Sequence, residues 1–110
     1  MRIEQTRQEG AAIVHVDGRI DAGGAPEIEQ TLVALSKEGP GAVILDLSMV
    51  DYVSSLGLRA MLVAIKALSE SGRRFLIAGP NADVLDVFTL TGFSKILSIH
   101  VSVEAALAEI

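Results

Sequence analysis

Two adjacent serines stand where a hydroxyl can do chemistry. Ser54-Ser55 precede Leu56-Gly57, at the point where the hydrophobic pattern changes period. Before them, Ala42 to Leu47 is a short apolar run bounded by Gly39-Pro40-Gly41, which reads as a strand buried on both faces, as in a parallel sheet. After them, Leu58, Met61, Leu62, Ile65 and Leu68 recur at three- and four-residue spacing, one face of a helix that should lie on the sheet. A serine at a helix start ordinarily caps free backbone N–H groups. On a wheel of about 100° per residue, Ser55 falls with Arg59, Lys66 and Glu70 in a polar sector away from the sheet. A phosphate on Ser55 would meet unpaired backbone N–H groups, the positive end of the helix dipole, and Arg59 one turn on. Beside that sector run Leu56, Ala60, Val63 and Ala67, a second apolar strip that reads as a docking surface. This is the layout of a phosphorylation-switched contact, not of a catalytic pocket.

The groups an enzyme needs are sparse. There is no Gly-x-Ser-x-Gly elbow, no Gly-Lys-Ser/Thr phosphate loop and no paired histidines. The best catalytic-looking set is Asp21, Asp46 and Asp51 with Lys66 or Lys95. It invites comparison with a phospho-aspartate receiver, whose acceptor is a strand-end Asp. That arrangement wants an acidic pair after its first strand and a lysine after its last, and neither is here. Asp46 therefore reads as a structural strand-end residue. His15 and His100 each stand without a second ligand nearby and read as structural. The absence of cysteine removes disulfides and thiolate metal sites. The expectation is a protein that is not an enzyme and holds no cofactor.

The elements that must position the serines follow from the rest of the chain. Its 110 residues, half of them apolar, suit one domain over 1–110 with a single core. A net charge of −5 argues against nucleic acid and anionic membrane as partners. No apolar run approaches a membrane span. Met1 leads within two residues into strand-like sequence, leaving no room for a signal peptide, so a cytoplasmic protein is expected. Met1 to Gln8 suits an exposed edge strand, and Glu9-Gly10 turns it into a second strand, Ala11 to Val16, as an antiparallel hairpin. Asp17 to Pro26 is a glycine-rich loop holding Asp21, and Pro26 opens a helix whose stripe is Ile28, Leu32 and Leu35. Beyond the central helix come a strand over Arg73 to Ala78, a short helix capped by Asn81, a strand over Ile96 to Ile99, and a last helix capped by Ser102.

Asp46 to Arg59, D-L-S-x-V-x-Y-V-S-S-L-G-L-R, resembles the signature of STAS domains of the anti-sigma factor antagonist type. There a hydrophobic strand runs into Asp-Leu-Ser and a hydrophobic–aromatic step, and then Asp/Ser-Ser-Ser/Ala-Gly-Leu opens a helix. The resemblance implies an α/β fold: a mixed sheet of about five strands with about four helices packed mainly on one side. It implies that Ser55 is the phosphoacceptor, with Ser54, where the family often has Asp, as the other candidate. Leu56 stands where the family often has Ser, Thr or Ala. Asp21, in Gly18-Arg19-Ile20-Asp21, matches an early Asp of the family. The expected partner-binding set is Asp21, Ser54, Ser55, Leu56, Arg59, Ala60 and Val63. The implied partners are an anti-sigma factor with serine kinase activity, which uses ATP, and a separate serine phosphatase. The other implied role is a structural STAS subunit of a transport or larger signalling complex with no phosphorylation cycle.

Overall fold

The computed structural model describes residues 1–110 as a five-stranded mixed sheet with four α-helices. Strand β1 (Arg2–Gln8) and β2 (Ala11–Ile20) form the expected antiparallel hairpin. Helix α1 (Ala25–Ser36) crosses over to β3 (Val43–Val53), and α2 (Ser55–Glu70) crosses from there to β4 (Phe75–Ala78). Helix α3 (Ala82–Leu90) and a 3-10 turn (Phe93–Lys95) lead to β5 (Ser98–His100), and α4 (Val103–Leu107) follows. The sheet order is β1-β2-β3-β4-β5, and every pair after the hairpin is parallel. Parallel neighbours need crossover helices, which places α1 and α2 side by side with their N-termini beyond the C-terminal ends of β2 and β3.

Alternation along the strands divides the core in two. Ala12, Val14, Val16, Val43, Leu45, Leu47 and Ile77 point into the large cluster completed by α1, α2 and α3. Ala11, Ile13, Ala42, Ile44, Leu76 and Ala78 point the other way, against Ala106 and Leu107 of α4. The helices thus lie mainly on one side, and the short α4 leaves much of the second face uncovered.

Several boundaries differ from the sequence reading, each for a physical reason. β3 runs six residues beyond Leu47, with only Val50 and Val53 of that extension buried, because β2 offers Asp17 to Ile20 as partners there. β4 starts at Phe75, since Arg73 turns inward and is 5% exposed. Its guanidinium donates to the carbonyls of Gly41 (2.7 Å), Glu38 (3.0 Å) and Leu35, and so closes the C-terminal end of α1 with a cation. β5 starts at Ser98, and Ile96 is left exposed.

The main correction concerns α2. Leu58, Met61 and Leu68 are buried as expected, Ile65 is half-buried, and Leu62 is 47% exposed. The inward side is completed instead by Gly57, Ala60 and Ala64. The buried sector is turned by roughly 60° on the 100°-per-residue wheel, because α2 packs on α1 as well as on the sheet. Ala60 and Ala64 are small enough to let α1 approach. Met61→Ala should therefore lower unfolding free energy by about 2–5 kcal/mol, and Leu62→Ala by no more than about 0.5 kcal/mol. Urea denaturation of the two variants checks this; equal losses would contradict the turned face.

Candidate functional site at the start of the central helix

The β3–α2 junction is built by Ser54. Its backbone is extended (φ −81°, ψ 169°), and its Oγ accepts the Gly57 N–H at 3.1 Å, a side-chain N-cap. Its own N–H donates to the Ile20 carbonyl at 2.8 Å, and its carbonyl accepts the Leu58 N–H at 3.0 Å. Ser54 is half-buried and fully engaged. Ser55, the first residue of α2, is exposed, and its hydroxyl bonds no other group of the chain. The first-turn N–H groups beside it have no partner within the helix, as helix geometry dictates.

Gly57 sets how closely this turn approaches β2. A Cβ there would stand 2.8 Å from Ile20 Cγ2, 3.1 Å from the Ile20 carbonyl oxygen and 3.1 Å from Val53 Cγ1. The backbone of α2 therefore rests directly on the ends of β2 and β3.

The sequence-predicted residues divide around this junction. Leu56 (48% exposed) and the exposed Arg59 line a shallow groove with Ala22 of the turn before α1 and Ala25, Pro26 and Glu29 from its start. Val63, two turns along α2, is 37% exposed. Ala60 is 2% exposed and belongs to the core, so it is removed from the docking strip: α1 covers that side of the helix. Asp21 is exposed, and its Oδ1 accepts the Gly24 N–H at 2.9 Å while its carbonyl accepts the Ala25 N–H, so it organises the turn into α1. It lines a neighbouring cleft with Arg19, Glu27 and Asp51.

The catalytic-looking set does not assemble. Asp21 and Asp51 share that cleft, but Asp46 lies on the other face of the sheet and neither Lys66 nor Lys95 lines it. No group of three or more His, Asp or Glu side chains is placed to hold a metal ion. No helix is long and apolar enough to cross a membrane.

Two features were not legible beforehand. Arg19 stacks on Tyr52, its guanidinium carbon 4.3 Å from the ring centroid, as register partners of β2 and β3. His15 pairs with Asp46 through Nδ1 and Oδ2 at 2.8 Å, also as register partners. Burial opposes the charge on Asp46, but bonds from the Ser48 backbone N–H and from His15 outweigh it and hold the carboxyl below its ordinary pKa. Both pairs become visible only once the parallel register is known.

The family model of the STAS domain matches residues 2–106. A Bordetella bronchiseptica protein named as an anti-sigma factor antagonist, BtrV, is 32% identical over 108 residues, 98% of this chain and 93% of its own. The anti-sigma-B factor antagonist of Staphylococcus aureus is 27% identical over 104 residues, 94% of this chain and 96% of its own. The crystal structure of an anti-sigma factor antagonist from Mycobacterium paratuberculosis superposes with a TM-score of 0.90 at 26% identity, covering 99% of this chain and 92% of that one.

The close approach at Gly57 yields a direct test. Gly57→Ala should destabilise the fold by about 1–3 kcal/mol, although alanine favours helix elsewhere, because the added methyl meets backbone as well as side chain. A thermal melt that is unchanged or raised would show that the junction is looser than described.

Proposed function

Because the chain belongs to the STAS domain family, we propose that it is an anti-sigma factor antagonist whose binding is switched by phosphorylation of Ser55. In this reading the unphosphorylated protein binds an anti-sigma factor that is also a serine kinase, and so frees the sigma factor. The kinase transfers a phosphoryl group from ATP to the Ser55 hydroxyl, which ends the binding, and a serine phosphatase restores it. The setting is the cytoplasm.

The observation that carries this reading is the division of work between the two serines. Ser54 has its side chain and both backbone groups committed to the junction, whereas Ser55 projects free from the first position of α2. A group transferred to Ser55 leaves the cap intact. Phosphate adds about −1.5 to −2 charges. On the free protein, the helix start and Arg59 would compensate it. Against a partner seated on Leu56 and Val63, it would have to be desolvated beside apolar surface, which costs several kcal/mol. Arg59 would face the same partner, and Asp21 would border the contact from the adjoining cleft.

Incubation with ATP and a cognate kinase of the anti-sigma type, followed by mass mapping, tests this. One phosphate on Ser55 is expected, and none on the folded Ser55→Ala variant, which should bind the kinase constitutively. Ser55→Asp should bind at least about tenfold more weakly, some 1.4 kcal/mol. Phosphate on Ser54, or undiminished labelling of Ser55→Ala, would reverse the assignment. No labelling at all would favour a structural STAS subunit.

A further inference from the structure

The face of the sheet opposite the serines carries a hydrogen-bonded chain of three side chains. Asp46 Oδ2 lies 2.8 Å from His15 Nδ1, and His15 Nε2 lies 2.9 Å from Thr6 Oγ1. Asp46 Oδ1 is held by the Ser48 N–H at 3.0 Å, so the carboxylate cannot swing away without losing a bond. The placement follows from the sheet. Thr6 faces Ile13 and Glu4 faces His15 across the hairpin, while His15 and Asp46 are register partners across the parallel pair. All of them point to the side that α4 covers only in part.

An ionised Asp46 accepts only, so the neutral ring carries its proton on Nδ1 and leaves the Nε2 lone pair free. The Thr6 hydroxyl must then donate to Nε2. A hydroxyl aimed at a basic ring nitrogen that a carboxylate orients from behind is the arrangement of an activated nucleophile. The three groups line an open cleft together with Arg2, Glu4 and Met49. Arg2, whose Nη2 lies 2.7 Å from Glu4 Oε1, is the cation in that cleft able to face a developing oxyanion. Thr6 is exposed and the His15 side chain is 36% exposed, so a small ester can reach them.

We propose that Thr6 is an acyl acceptor, activated by His15 and positioned by Asp46, that takes an acyl group from an activated ester. Thr6 Oγ1 attacks the carbonyl carbon while its proton passes to His15 Nε2. The acyl carbon–oxygen bond to the leaving alcohol then breaks, and that alcohol takes the proton back from His15. The products are an O-acyl threonine and a free alcohol. No oxidant, metal or cofactor enters the balance, and the site is independent of Ser55.

The probe is p-nitrophenyl acetate on the full chain, with release of p-nitrophenol read by absorbance and the site read by peptide mass mapping. Acetylation of Thr6 is expected, retained in Thr6→Ser and absent in Thr6→Val, which keeps the shape of the side chain on an exposed strand. His15→Gln should slow it at least about a hundredfold, within the range of general-base contributions. The pH–rate profile is recorded for each variant; the charged and titratable groups facing His15 are Arg2 and Glu4 from β1, Asp17 from β2, Asp46 from β3 and Glu104 from α4. Asp46→Asn should alter that pH profile, which a merely structural role would leave in place. Circular dichroism of each variant separates lost activation from lost fold. Acetylation confined to lysines, or Thr6 acetylated equally fast in a folded His15→Gln protein, would overturn the proposal.

Discussion

The contact on which the site depends is the one between the first turn of α2 and the end of β2. Ile20 is fully buried, its carbonyl accepts the Ser54 N–H, and its side chain fills the space that a Cβ on residue 57 would need. With the helix start resting on the strand at this point, the rotation of α2 about its axis is no longer free. Ala60 and Ala64 continue the same inward line, and their size lets α1 close against them. Ser55, Leu56 and Arg59 are then outward by necessity, whatever their own preferences. The exposed serine is a consequence of the buried glycine.

This arrangement separates the serine that holds the helix from the serine left exposed beside it. A single serine that both capped α2 and received a phosphoryl group would have to exchange its Oγ cap, worth about 1 kcal/mol, for bonds to the phosphate oxygens, and so rearrange the junction whenever it was modified. With two serines the cap would persist, and a charge added next door would meet the favourable end of the helix dipole, worth about 0.3–1 kcal/mol. The folded protein would thus tolerate the modification while an apolar contact made over Leu56 and Val63 would not. On the proposed function, the difference between those two costs would make a switch of binding rather than of folding.

The local steps of this structure were legible in the chain, and the long-range ones were not. Ser54, Asn81 and Ser102 each cap a helix through the bond expected of them, to Gly57, Val84 and Ala105. The hairpin at Glu9-Gly10 and the crossover at the central helix followed from turn chemistry and period alone. Periodicity says that a helix has an inner face, but not that a second helix will share it, so Ala60 was placed outside and Leu62 inside. Arg73 looked like the start of a strand, because the carbonyls it binds lie more than thirty residues earlier. His15 and Asp46 looked like isolated structural residues for the same reason: parallel register joins them across 31 positions.

Ser54 holds the start of α2, and Ser55 stands free beside it. Hydrogen exchange of the Gly57 amide, followed by NMR in the Ser54→Ala and Ser55→Ala proteins, measures it at the bond concerned. Faster Gly57 exchange is expected in Ser54→Ala, where its acceptor is gone, and exchange like that of the unmodified chain in Ser55→Ala. Protection lost in Ser55→Ala, or kept in Ser54→Ala, would contradict it.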